Sequence, residues 1–418
     1  MSKFAKIAAL LLIVFCATEA ISSACTSVII SGKLTPDGRP LMWKNRDTGS
    51  DQNMMKYFPA EEGKFSFVAV VDSHSDKHST VWIGTNSEGF SIMNTMSYNV
   101  KRDTLETGGK GSNGSFMKKA LAVCRTVDDF EAFLKAQPQP WGVTTNFGVL
   151  DANGDGAYFE VNFHEYFKYD VNDPAVAPEG YLVRSNYSLN GRPIEDGRGH
   201  ARYIAADEMV KKAIAEGTVT PDFILKNMAR NYCNPLIGLD LKSDAINKVK
   251  SGPWAFDTDF ITRKTTTSSV VIQGVRKGEN PQLVTLWSII SYPGTTVAVP
   301  VWECGGQEGL PRMLKANFSK VAPLGEMGYK MKESIYCWDY DNTEDNAKRY
   351  FRWDMLWNNQ GTGYLQKVLK LEKEVLPPYQ KALEKWQKKG QIDLKELKKL
   401  NDKADEKIDK FYQTEFGF

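Results

Sequence analysis

The sequence predicts an α+β fold, with sheets built from short strands and a helical C-terminal extension. Three observations carry this. Across residues 25–301 short β-rich runs recur between turn-forming Pro, Asp, Asn and Gly. Stretches with apolar residues at helical spacing interrupt those runs. Beyond about Glu372 the chain turns to Lys, Glu, Leu and Asp, with Leu397, Leu400, Ala404, Ile408 and Phe411 on one helical stripe.

The elements follow in chain order. A signal-like segment occupies residues 1–24: Lys3 and Lys6 precede the apolar run 7–15, and small residues ending Ile21-Ser22-Ser23-Ala24 follow. The run is about half the roughly 20 apolar residues needed to cross a bilayer, so the mature chain is expected to be soluble and secreted or periplasmic. Ala24 and Ser22 stand one and three positions before a signal-peptidase cut that leaves Cys25 as the amino terminus. A cut after Thr18-Glu19-Ala20 instead leaves residues 21–24 as a short propeptide for later removal. Lipidation of Cys25 is the alternative, although Ser22 stands where a lipoprotein signal usually has a Leu-like residue.

Residues 26–31 are β-rich, Pro36-Asp37-Gly38 is turn chemistry, and Leu41-Met42-Trp43 resumes an apolar stretch, which together predict a hairpin beginning at Cys25. Residues 65–71, 81–85 and 90–93 extend the strand-rich region. Helices are predicted over 116–124 and after Thr126, whose hydroxyl can cap the amide near Asp129, with Phe130, Phe133 and Leu134 at helical spacing. Strands return at 148–150 and 157–161. Further helices are predicted over 201–215 and after Thr220-Pro221, and further strands over 269–272, 283–289 and 296–301. Pro377-Pro378 is expected to separate the C-terminal helices from one carrying Leu365, Val368 and Leu369. The domains expected are the signal at 1–24, a main sheet-bearing unit at 25–325 and a helical extension at 326–418.

Composition narrows the function. The chain has 418 residues, 42% hydrophobic, with 53 basic against 51 acidic residues. A net charge of +2 supplies no field for nucleic acid or an anionic membrane, so a small-molecule partner is the default. Outside the signal, the cysteines are Cys25, Cys124, Cys233, Cys304 and Cys337. Either four of them form two disulfides and leave one thiol over, or the four beyond Cys25 are buried small residues. The histidines His74, His78, His164 and His200 lack metal-ligand spacing, and no metal or cofactor is expected.

A cysteine at an amino terminus carries a thiol and a free α-amine, with reference pKa values of about 8.5 and about 7.7 to 8.0. One residue can thus supply nucleophile and base. A neighbouring cation favours the thiolate and a carboxylate orients the amine, and Lys44-Asn45-Arg46-Asp47 offers both one hairpin away.

Cys25-Thr26, a hairpin and a basic-Asn-x-Asp tetrad resemble the N-terminal nucleophile (Ntn) hydrolases. The branch they resemble holds penicillin V acylase, choloylglycine hydrolase and acyl-CoA:6-aminopenicillanate acyltransferase-like proteins. The resemblance implies a four-layer αββα sandwich. It also implies that Asp47 grips the amine of Cys25 and that a cation flanks the thiol. That family cation is usually Arg at the first place of the tetrad, which here is Lys44, while Arg46 holds the third, so either is a candidate.

Further segments match in the family's order. Residues 84–94 resemble its G-x-N-E-x-G-L strand, after which Asn94 is either an oxyanion donor or a turn cap. Arg184-Ser185-Asn186-Tyr187 resembles a segment whose Asn donates to the oxyanion, implying that role for Asn186. His200-Ala201-Arg202-Tyr203 resembles a helix start whose Arg lies near the nucleophile, implying that place for Arg202, with a helix-surface arginine as the alternative. Residues 146–160 resemble paired scaffold strands. Trp43, Met54, Met55, Tyr57 and Phe58 either line an acyl pocket or pack the core.

The function this implies is cleavage of a linear amide of a small N-acyl substrate through a Cys25 thioester, with acyl transfer as a variant. An Ntn-type dipeptidase and a non-catalytic surface protein anchored through lipidated Cys25 are the rivals. A papain-like protease needs a Cys-His pair that the sequence does not supply. Asn113, Asn186 and Asn317 begin N-x-Ser sequons, relevant if the chain is eukaryotic.

Overall fold

The turn at Thr35-Pro36-Asp37-Gly38 reverses the chain, with Gly38 at φ 73°, a left-handed value that disfavours residues bearing a Cβ. Strand β1 (Thr26–Ile30) therefore pairs antiparallel with β2 (Leu41–Asp47), Thr26 opposite Asn45 and Ser27 opposite Lys44. This is the predicted hairpin. The computed structural model describes residues 25–75, 79–100, 112–192, 198–243, 252–336 and 350–418. The signal segment, His78 and Cys337 lie outside the described residues.

Strands β3 (Asn53–Phe58), β4 (Phe67–Asp72), β5 (Ile83–Asn86), β6 (Ser91–Met96), β7 (Thr145–Leu150), β8 (Gly156–Val161) and β9 (Tyr166–Asp170) form a seven-stranded antiparallel meander in chain order. Helices α1 (Asn113–Val123) and α2 (Val127–Ala136) are inserted between β6 and β7 and cover one face of it. Their start is fixed locally: Thr126 Oγ1 accepts from the Asp129 amide at 3.0 Å, and the Asp129 carboxylate accepts from the Thr126 amide at 3.0 Å. Phe130 and Leu134 then bury against the sheet, Phe130 meeting Phe147 and Phe159 edge-on. Each such side chain contributes about 1.5–3 kcal/mol of burial.

β10 (Tyr181–Arg184) returns to pair with the free side of β1. After α3 (His200–Ala215), β11 (Thr266–Gln273) pairs with the other side of β2, followed by β12 (Thr285–Ile289) and β13 (Val299–Val301). The six-stranded order is β10-β1-β2-β11-β12-β13, which puts the hairpin that follows Cys25 near the centre. The two sheets face each other through one core, with Ser27 Oγ 2.7 Å from Tyr158 Oη across the gap. Helix α3 and the helical segment 221–228 lie on the outer face of the six-stranded sheet. The result is the expected αββα order of layers.

Helices α4 (Pro323–Ile335), α5 (Tyr364–Lys389) and α6 (Leu394–Phe416) follow. The last two put Leu371, Tyr379, Trp386, Leu397, Ile408 and Tyr412 into the same core as the sheets. One expectation is corrected here: Pro377-Pro378 does not break the helix, and α5 runs through both. Both prolines are exposed while Val375, Leu376 and Tyr379 beside them are buried. The lost backbone bonds therefore fall on the solvent face, where water replaces them, and the buried face holds the helix. Boundaries also move: β12 starts at Thr285 because Pro281–Leu283 form a 3-10 turn capped by Asn280, and β13 starts at Val299 rather than 296. Strands β3, β9 and β10 have no counterpart in the sequence reading. Cys124, Cys233 and Cys304 are free thiols, so the two-disulfide alternative is not what these three form. Burial pushes the Cys124 thiol up to about 12, which makes it an inert packing residue.

Candidate active site

Side chains alternate along a strand, so the tetrad on β2 divides between two faces. Lys44 and Arg46 project into the gap between the sheets, where their partners come from the seven-stranded sheet. Asn45 and Asp47 project toward the helical layer, where theirs come from residues 229–266. Cys25 stands at the junction, immediately before β1.

On the inter-sheet side, Cys25, Lys44, Arg46, Thr48, Trp82 and Asn94 share the wall of a cavity of about 360 Å³. Met96, Ser112, Asn113, Gly142, Val143 and Thr144 complete its lining. Lys44 Nζ donates to the Trp82 carbonyl at 3.1 Å and to Asn94 Oδ1 at 2.9 Å. Burial brings its pKa down to about 8, against the opposing pull of the Cys25, Asp47 and Asp72 charges. Arg46 is held differently. It donates to Asn53 Oδ1, pairs with Asp72 at 2.9 Å and stacks 4.2 Å over the Trp82 ring. The sequence left open which of the two is the cation beside the thiol. Both line the cavity, but Arg46 is already neutralised by a carboxylate.

Asn94 is a β6 strand residue rather than a turn cap. Its Oδ1 takes the Lys44 proton donor and its Nδ2 lies 3.3 Å from Thr145 Oγ1.

On the helical side, Arg202 enters at the first turn of α3 and is buried. Its Nη1 donates to the Cys25 carbonyl at 2.7 Å and to Thr26 Oγ1 at 2.9 Å, and its Nη2 donates to Asn186 Oδ1 at 2.8 Å. The arginine thus fixes the backbone of Cys25 rather than lying on the helix surface. Gly199 permits this, since at φ 86° a Cβ there would press on the Arg202 guanidinium. Asn186 is fully buried and spends its amide on the Met96 carbonyl at 2.8 Å. It is not among the residues lining the cavity, so in this structure its visible task is to orient Arg202.

Asp47 is fully buried. It accepts from Thr266 Oγ1 at 2.6 Å and from Arg263 Nε at 2.9 Å, with Arg263 Nη2 also at 2.9 Å. Burial raises its carboxyl above the usual range, and Arg263, Arg202 and the Thr266 hydroxyl oppose that rise. Burial works against the Arg263 charge too, but Asp47, Asp259 and Asp257 outweigh it and hold it protonated. Asp259, at φ 67°, bridges Arg202 and Arg263 and so ties the Cys25 carbonyl to Asp47. Sequence reasoning missed Arg263, Asp259 and Thr266. The only signal was that Asp tolerates the left-handed region better than most residues.

Trp43, Met54 and Met55 are core residues, and neither Tyr57 nor Phe58 lines this cavity. No histidine lines it either. Among the described residues there is no cluster of three or more His, Cys, Asp or Glu suited to a metal, and no helix long and apolar enough to cross a membrane. Asn113 lines the cavity, so a glycan there would stand against it, and the buried Asn186 has no room for one.

No family model matches this chain, and no curated protein matches it. Among solved structures the chain is similar to an ortholog of N-acylethanolamine-hydrolyzing acid amidase from Caenorhabditis elegans, at 13% identity over 59% of this chain and 92% of that one, with a TM-score of 0.36. It is also similar to penicillin V acylase from Agrobacterium tumefaciens, at 12% identity over 66% and 85%, TM-score 0.38. A third is a mutant of conjugated bile acid hydrolase from Clostridium perfringens, at 12% identity over 66% and 92%, TM-score 0.40. The acylase and the bile acid hydrolase bear names of the branch that the motifs resemble.

Proposed function

We propose that this protein is an exported amide hydrolase in which Cys25, freed as the amino-terminal residue, attacks a small N-acyl substrate. The observation that carries the reading is the placement of Cys25. It lines a cavity together with Lys44, its carbonyl is clamped by Arg202, and Asp47 lies on the adjacent strand. Such a clamp holds a nucleophile in one orientation, the entropic part of catalysis.

The thiol proton passes to the α-amine of Cys25, and the sulfur attacks the amide carbonyl. The leaving nitrogen takes up a proton as the tetrahedral adduct collapses, so the C–N bond breaks, an amine departs and a thioester remains on Cys25. Water then cleaves the thioester. A second amine would do the same, which makes acyl transfer a variant of the same cycle. The cavity volume suits an acyl group of modest size, and its mixed lining of Trp82, Met96, Thr48 and Thr144 supports a partly polar one. Removal of residues 1–24 on export belongs to this reading, since it is what frees the amine.

The test is intact mass and N-terminal sequencing of the processed protein before and after iodoacetamide, with Cys25→Ala alongside. A Cys25 terminus labelled once in the parent and not in the variant, and turnover of an N-acyl amide by the parent alone, are the expected results. A lipid on Cys25, or a different terminus, would sink the proposal.

A further inference from the structure

Resting on the amide-hydrolase reading, we infer that Lys44 is the proton carrier of the site, protonating the departing amine during acylation and taking a proton from water during deacylation. The geometry singles it out. Two of the three hydrogen-bonding positions of its Nζ are tied to neutral oxygens, the Trp82 carbonyl and Asn94 Oδ1, so the nitrogen is fixed in place. No carboxylate bonds to it among the described residues, and it lines the same cavity as Cys25. The third position is therefore available to a group inside the cavity. Arg46 cannot substitute for it, because its guanidinium is bound to Asn53 and Asp72 and does not exchange protons in this range.

The charged and titratable groups that act on Lys44 are Cys25 before β1, Arg46 and Asp47 on β2, and Asp72 on β4. The cavity residues contributed by β6, α1 and the segment before β7 are neutral. Burial brings the lysine to about 8, where protonated and neutral forms are both within reach, the condition for general acid–base work. An arginine at this place would supply charge but no exchangeable proton.

The steps balance. In acylation the thiol proton goes to the α-amine of Cys25, the S–C bond forms, and the C–N bond breaks as the nitrogen takes a proton from the Lys44 ammonium. In deacylation neutral Lys44 accepts a proton from water, the oxygen attacks the thioester carbon and the C–S bond breaks. The thiolate then recovers its proton from the α-ammonium.

The experiment compares the processed wild type with Lys44→Met and Lys44→Arg on two acyl donors, N-phenylacetyl-butylamine and 4-nitrophenyl phenylacetate. The amide needs its leaving nitrogen protonated and the nitrophenolate does not. Acylation of Cys25 is followed by mass spectrometry and turnover by product release. The expected result is a loss in kcat of about 100-fold or more on the amide for both variants, at little changed KM. Acylation by the ester should fall by less than about 10-fold. Wild-type amide kcat/KM should show an alkaline limb that is missing from the residual activity of Lys44→Arg. Equal losses in the rate of Cys25 acylation by both donors, or recovery of amide turnover by Lys44→Arg, would overturn the proton-carrier role and leave the hydrolase reading standing. A wild type that is acylated by neither donor overturns the hydrolase reading, and this inference with it.

Discussion

At the scale of single residues, Arg202 organises the Cys25 end of β1. It donates to the Cys25 carbonyl, the Thr26 hydroxyl and the Asn186 side chain while paired to Asp259. Arg202→Met would leave those acceptors buried without partners. Losing one side of a buried ionic network costs about 3–5 kcal/mol, and Asp259, being partly exposed, places this case at the lower end. Urea unfolding should show a loss of about 3 kcal/mol, and the surviving folded protein should alkylate Cys25 normally yet turn over amide poorly. Lys44 gives a second prediction, with a defined sign. Folded Lys44 titrates near 8 and a free lysine near 10.5, so between those values the unfolded chain holds the extra proton and stability rises with pH. Lys44→Met removes that slope, so the urea midpoint of wild type minus variant should increase between pH 8 and pH 10. A constant difference would mean that Lys44 does not titrate there.

The tetrad 44–47 was legible because a basic-Asn-x-Asp run one hairpin after a candidate nucleophile is a local pattern. What the pattern could not say is which side each residue faces, since that depends on which sheet surface meets the second sheet and which meets the helices. Arg263 and Asp259 come from a segment more than 200 residues beyond Asp47, and only tertiary pairing of β11 with β2 brings them to it. Asn186 shows the reverse case. Its motif was readable, but its amide is committed to the Met96 carbonyl and its oxygen to Arg202, partners that no local pattern names. Asn94 on the next sheet was readable as polar and strand-terminal, yet its use as an acceptor for Lys44 depends on the sheets facing each other.

At the scale of elements, the strand periodicity and the capping box at Thr126 carried over because both are set within a few residues. The double proline in α5 did not, because the rule that proline ends a helix is a statement about isolated segments. Here Leu371, Val375, Leu376, Tyr379, Leu383 and Trp386 bury one face continuously across the prolines. That burial exceeds the roughly 3 kcal/mol a proline costs in a helix interior. The penalty is still present in the folded protein, so relieving it should show. Pro377→Ala and Pro378→Ala, each at an exposed position, should raise the urea midpoint, by about 1 kcal/mol or more of stability apiece after the lost rigidity of the unfolded chain is deducted. Amide turnover should be unaffected. A drop in stability would show that the prolines set a bend the core requires.

At the scale of the whole molecule, the C-terminal helices are bound into the sheet core by polar as well as apolar contacts. Arg230, fully buried after the helical segment 221–228, makes a two-pronged ion pair with Glu372 of α5 and donates to the carbonyls of Leu225, Pro293 and Thr296. Glu372 also accepts from the Ala298 amide, and Tyr412 of α6 donates to the Thr295 carbonyl. The loop 293–298 before β13 is thereby held by three residues, Arg230, Glu372 of α5 and Tyr412 of α6. Breaking a buried pair on one side strands a charge and costs about 3–5 kcal/mol, whereas replacing both members by apolar residues of similar volume is often neutral. Arg230→Met and Glu372→Leu should therefore each be strongly destabilising, and the double variant should regain most of either loss when all three are compared by urea unfolding. The regain should stay incomplete, because the Pro293 and Thr296 carbonyls lose their donor and the Ala298 amide its acceptor. If the double variant is instead as unstable as the sum of the singles, the pair acts through those backbone bonds rather than through its charges. The loop would then be what joins the C-terminal helices to the sheet that carries Cys25.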